Sequence, residues 1–178
     1  FGLQLTFNYG GIMVYIPLIV IALLVGTDQL VKIWADNNLI GKGSVPFIHF
    51  GDIQIINLSY CENTGAAFSI FENNIIFLIL ITSIFLIFGI WVILAKKIKH
   101  KLALLSVTLI LAGGVGNLID RIFRGYVIDY LEVKLFRFAV FNFADCCVVI
   151  GAILLAVYVI FFDKSSKDDK KAIENGKV

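Results

Sequence analysis

Three stretches of this chain run uncharged for about the length a helix needs to cross a bilayer. Residues 75–95 give 21 such positions, 102–119 give 18 and 146–162 give 17. An α-helix rises about 1.5 Å per residue, so roughly 20 apolar residues cover a hydrocarbon layer about 30 Å thick. A fourth run is apolar from Met13 to Val25, then meets Asp28 and Lys32 before Trp34. One helix from about 13 to 35 is expected there, with both charges near its far end. A cleaved signal sequence is the alternative for this run, but it lacks a basic leader and a small-residue cleavage site. The expected spans are therefore about 13–35, 75–95, 102–121 and 143–162, within one domain covering 13–162. Residues 1–12 precede a natural-looking Met13 and are read as an expression remnant or upstream extension. The polar tail 163–178 holds five Lys and four acids.

Composition agrees with a membrane chain and excludes other classes. Of 178 residues, 60% are hydrophobic and 16% charged, and mean hydropathy is +0.94. Disorder needs the opposite balance. A net charge of +2 with no basic stripe argues against nucleic-acid binding. Three cysteines, two of them adjacent, do not make a disulfide scaffold.

Orientation follows from Lys and Arg in short loops. The linker 96–101 has four Lys in six residues and is expected to be cytoplasmic. Four spans then place both termini inside and segments 36–74 and 122–142 outside. The first outside segment has only Lys42, which agrees. The second carries Arg124, Lys134 and Arg137, with Arg121 just before it, which weakens the pattern. Within the first, 45–50 and 53–60 are β-branched and aromatic runs split by Gly51-Asp52, a two-residue hairpin signal. The second reads as short strands or a surface helix. The fold class is thus integral membrane and mainly α, with four spans and a small extracytoplasmic β-sheet.

The informative residues are polar ones at the outer ends of the spans, where charge is costly and usually marks a partner or a cavity. Asp28 and Lys32 are four apart and can pair on one helix face. A structural ion pair and a substrate role both fit. Asn117 and Arg121 share a face, with Gly113 continuing it into the bilayer as a close-packing position. Asp120 lies about 100° round the helix from Arg121 and suits a local cap or pair. Asp129 sits in the apolar patch 127–130. Asp145 opens the last span, where an acid suits the helix dipole and Asn142 can cap. Helix start and catalysis fit Asp145 equally well.

Two converging acids can hydrolyse a peptide. Like charges close together keep one proton between them, so one carboxylate activates water while the protonated partner polarises the carbonyl. Other hydrolytic chemistries find little here. His49 and His100 are the only histidines, and no H-E-x-x-H, C-x-x-C or G-x-S-x-G occurs. Cys61 has no clear base, and Cys146-Cys147 read as small helix residues.

Five motifs then resemble the bacterial lipoprotein signal peptidases (signal peptidase II). They are Asp28-Gln29-Leu30-Val31-Lys32, Asn63-Thr64-Gly65-Ala66-Ala67-Phe68-Ser69, Gly113-Gly114-Val115-Gly116-Asn117-Leu118-Ile119-Asp120-Arg121, Val127-Ile128-Asp129-Tyr130 and Phe141-Asn142-Phe143-Ala144-Asp145. The resemblance implies an aspartyl endopeptidase of the bacterial inner membrane, without cofactor or metal. Its substrates would be diacylglyceryl-modified prolipoproteins, cut before the lipidated cysteine near the outer leaflet. It makes Asp129 and Asp145 catalytic, places Asn63, Gly65, Asn117, Arg121 and Asn142 in the substrate pocket, and gives Asp28 and Lys32 a supporting position. It also implies contact with membrane lipid and inhibition by globomycin. Four spans suffice for one pocket, so a monomer is expected. Tyr130 stands where the family more often has Phe, and Cys146-Cys147 where small polar residues are common. The alternatives are a small proton- or ion-coupled transporter, a presenilin-like protease, whose G-x-G-D signature is missing, and a non-enzymatic scaffold.

Overall fold

The computed structural model describes residues 9–65 and 74–162. Residues 1–8, the 66–69 part of the second motif and the tail 163–178 lie outside the described residues. Among the described residues four helices are long and apolar enough to cross a membrane: α1 (Tyr9–Leu39), α2 (Ile75–Leu94), α3 (Lys101–Phe123) and α4 (Phe143–Phe161). Three strands, β1 (Val45–Phe50), β2 (Ile53–Asn63) and β3 (Val127–Val133), form one antiparallel sheet in the order β1-β2-β3.

The first helix runs past the expected end near Ala35 to Leu39. Its last turns are held by the sheet rather than by bilayer. Ala35 and Leu39 are buried with Ile128 and Tyr130 of β3, and Asp36 pairs with Arg124 at 3.2 Å. Asn37 and Asn38 donate back to the carbonyls of Ile33 and Trp34, four residues earlier, so polar side chains continue the helix where apolar sequence stops.

At the centre of the bundle is α3, which packs on the other three helices and most extensively on α4. Glycines set that closeness. A Cβ on Gly113 would strike the Ala144 carbonyl oxygen, and one on Gly116 would come within 2.6 Å of Asp28 Oδ2. The expected close-packing role of Gly113 is thus realised against α4. Outward faces stay apolar and exposed, as at Leu23 and Leu30 of α1 or Ile84 and Ile87 of α2. Those are the surfaces a bilayer would cover.

Gly51-Asp52 closes the β1–β2 hairpin, with Gly51 at φ 58°, a conformation a two-residue turn demands and glycine takes without strain. The second outside segment supplies β3 to this same sheet, so its strand alternative holds and no helix forms there. Three of the four basic residues that weakened the orientation pattern have local partners: Arg124 with Asp36, Lys134 with Glu132 at 3.0 Å, and Arg121 with the Gly65 carbonyl at 3.0 Å.

Candidate active site

The sheet and three helix ends meet where α4 begins. Among its first backbone N–H groups, which no helical carbonyl can satisfy, each finds a different partner. Phe143 donates to the Tyr130 hydroxyl (3.2 Å), Ala144 to Asp28 Oδ1 (3.1 Å) and Asp145 to Asn142 Oδ1 (3.0 Å). Asp145 Oδ2 accepts in return from the Asn142 N–H at 3.1 Å, completing a capping box. Tyr130 thereby ties β3 to α4. The helix-start reading of Asp145 is correct, and it leaves Oδ1 facing the cleft.

Asp129 and Asp145 line one cleft, with Asn63, Asn117 and Arg121, in a cavity of about 520 Å³. Its opposite wall is apolar, from Phe138 to Phe141 and along α4 at Val148, Val149 and Ile150. Asp129 is 2% exposed and accepts from Asn63 Nδ2 at 2.8 Å and Asn142 Nδ2 at 2.6 Å. Burial raises its carboxyl to about 6 against the opposing pull of the Asn63 hydrogen bond, and the nearby Asp145 adds to the rise. Asp145 Oδ1 accepts from Asn117 Nδ2 at 2.7 Å. Asn142 therefore touches both acids, through its side chain to Asp129 and through its backbone to Asp145.

Beneath the acids lies a buried ionic cluster. The Lys32 ammonium, fully buried, donates to Asp28 Oδ2, Asp120 Oδ2 and Asn117 Oδ1, each at 2.9 Å. All three of its protons are used. Asp28 and Lys32 pair as their spacing suggested. The sequence reading missed Asp120 as a third member. Its position three residues after Asn117, only about 60° round the helix, was the available signal. Gln29 was also missed. Its amide donates to Asp28, Asp120 and the Gly116 carbonyl, knitting α1 to α3.

Gly65 contributes backbone only: its N–H donates to Asn63 Oδ1 at 2.9 Å and its carbonyl accepts from Arg121 Nη2. Arg121 Nε is buried beside the cleft with no hydrogen-bond partner among the described residues. Cys61 pairs across the sheet with Asp129. Burial, then the Asp129 and Glu62 carboxylates, push its thiol up, away from the thiolate a nucleophile needs. Among the described residues no group of three or more His, Cys, Asp or Glu converges to hold a metal.

The sequence matches the family described as signal peptidase (SPase) II over residues 20–161. This chain belongs to the signal peptidase II family. A lipoprotein signal peptidase of Clostridioides difficile is 39% identical over 155 residues, covering 87% of this chain and 100% of that protein. Its counterpart in Clostridium acetobutylicum is 36% identical, covering 90% and 99%. A solved structure of a bacterial membrane enzyme superposes with a TM-score of 0.74 at 26% identity, covering 81% of this chain and 87% of that one. Signal peptidase II enzymes are aspartic peptidases, and these relatives give the transporter alternative no support.

Proposed function

We propose that the chain removes signal peptides from diacylglyceryl-modified prolipoproteins, cutting before the lipidated cysteine, with Asp129 and Asp145 as the catalytic pair. The observation that carries this reading is two carboxylates in one half-apolar cleft, each fully supplied with amide donors. Asp129, raised to about 6 by burial, holds the shared proton. Asp145, at the N-terminus of α4 with two N–H donors, is the partner assigned as base toward water.

The steps balance as a hydrolysis. Asp145 takes a proton from water as the water oxygen bonds to the scissile carbonyl carbon. Asp129 passes its proton toward the carbonyl oxygen and stabilises the developing charge. The C–N bond then breaks, the leaving amine takes the proton from Asp145, and Asp129 recovers its own from the collapsing diol. Asn63, Asn117 and Asn142 orient the acids. Arg121 Nε, with no partner among the described residues, is assigned to a substrate carbonyl. The apolar wall of the cleft suits a diacylglyceryl chain or a signal-peptide helix entering from lipid. In this reading the enzyme works as a monomer in the bacterial inner membrane. Both termini are cytoplasmic, the cleft lies near the outer leaflet, and globomycin competes for the same pocket.

The test is cleavage in detergent of one prolipoprotein in lipidated and unlipidated forms. Only the lipidated form should be cut, and globomycin should stop it. Equal cleavage of both would contradict the substrate assignment.

A further inference from the structure

The three asparagines around the acids share one arrangement. An amide has an accepting and a donating end, and only the donating end helps a carboxylate. In each case the accepting end is held by a group that can only donate. Asn63 Oδ1 takes the Gly65 N–H and Asn142 Oδ1 takes the Asp145 N–H. Asn117 Oδ1 takes the Lys32 ammonium at 2.9 Å, with a second bond from Asn142 Nδ2 at 3.1 Å. Each Nδ2 is thereby turned to an acid: Asn63 and Asn142 to Asp129, Asn117 to Asp145.

We propose that Lys32 is a positioning residue for the reaction: it locks the Asn117 amide so that its NH₂ end, and not its carbonyl, meets Asp145. This rests on the assignment of Asp129 and Asp145 as the catalytic pair. Lys32 lies one residue removed from the chemistry and touches neither acid of the pair in this network. A neutral hydroxyl or amide at position 32 could accept as well as donate and would leave the Asn117 carbonyl end fixed only by the longer bond from Asn142 Nδ2, which Asp129 shares. An ammonium cannot accept. Asp28 and Asp120 make that ammonium tolerable in a buried place, and Gly116 leaves room for Asp28 against α3.

Removing Lys32 alone strands two buried carboxylates and invites misfolding. The first test is therefore Lys32→Met combined with Asp28→Asn and Asp120→Asn, which removes the buried charges together and leaves Arg124 paired with Asp36. Thermal melting in detergent reports folding, and kcat and KM on a lipidated prolipoprotein report function. The expected result is a folded protein with kcat reduced about 10- to 100-fold, the scale typical of lost orienting partners, and KM within about threefold. Wild-type kcat in that folded variant would overturn the proposal, because Lys32 would then only balance charge.

A second variant, Asn117→Asp, keeps Lys32 paired even if the triple variant fails to fold. Charged groups around that position are Lys32 and Asp28 from α1, Asp120 and Arg121 on α3, Asp145 from α4 and Asp129 from β3. The new side chain can donate to Asp145 only while it carries a proton, so activity should survive only on the acid side of the wild-type pH profile. An unshifted profile with wild-type kcat would overturn the proposal. Asp129→Asn and Asp145→Asn run alongside. Cleavage by either at the wild-type rate would remove the catalytic pair itself, whatever Lys32 does.

Discussion

Asp129 is buried on β3 with amides donating to both of its oxygens, and its carboxyl is raised from 3.8 to about 6. The folded protein thus binds this proton more tightly than the unfolded chain. Its stabilising effect is full below pH 3.8 and is lost as pH rises through about 6. The shift corresponds to about 3 kcal/mol. Asp129→Asn never ionises, so its stability relative to wild type should improve by up to that amount between pH 4 and pH 8. Parallel melting curves at both values check this, and a gap that does not change with pH would contradict it. Asn142→Asp separates capping from chemistry. Asp caps a helix as well as Asn does, but position 142 is fully buried against Asp129, so melting should fall at neutral pH, where two carboxylates would face each other, and recover toward acid pH. The Nδ2 donor to Asp129 becomes a carboxylate oxygen, and cleavage should fall roughly 10- to 100-fold. The residues of this site were legible as polar positions where a membrane chain should have few. Their partners were less so. Lys32 and Asp120 are 88 positions apart, and only the packing of α1 on α3 makes them neighbours.

The helices were readable because a hydrocarbon layer demands long uncharged runs, and the β1–β2 hairpin because Gly51-Asp52 is a turn of known shape. β3 was ambiguous for a physical reason. A seven-residue apolar run does not declare its partner, and β3 pairs with a strand more than 60 positions earlier. The end of α1 was misplaced because Asp36-Asn37-Asn38 looks like a stop, whereas burial of Leu39 under the sheet carries the helix on. Close approach of α3 and α4 belongs to this scale too. Gly113→Ala pushes a methyl group into the Ala144 carbonyl at the first turn of α4. Overpacking of this kind costs roughly 1–3 kcal/mol. Melting should fall accordingly, and activity should fall beyond the loss of folded protein, because Asp145 moves with that turn. A variant with wild-type stability would show that the helices can separate without strain.

Across the whole molecule, apolar surface faces outward from α1 and α2, while α3 is the most enclosed of the four spans. Among the described residues the buried charged groups, Asp28, Lys32, Asp120 and Asp129, gather at one end of the bundle, under the sheet. That asymmetry suits a hydrolase working at a membrane boundary better than a conduit. The central claim is that two acids, one on a strand and one at a helix start, form a single catalytic unit. Its most direct measurement is cleavage of a lipidated prolipoprotein by wild type, Asp129→Asn and Asp145→Asn, each first shown by melting to be folded. The account predicts cleavage by wild type and none detectable by either variant. Folded protein that still cleaves without one of these carboxyl groups would contradict it.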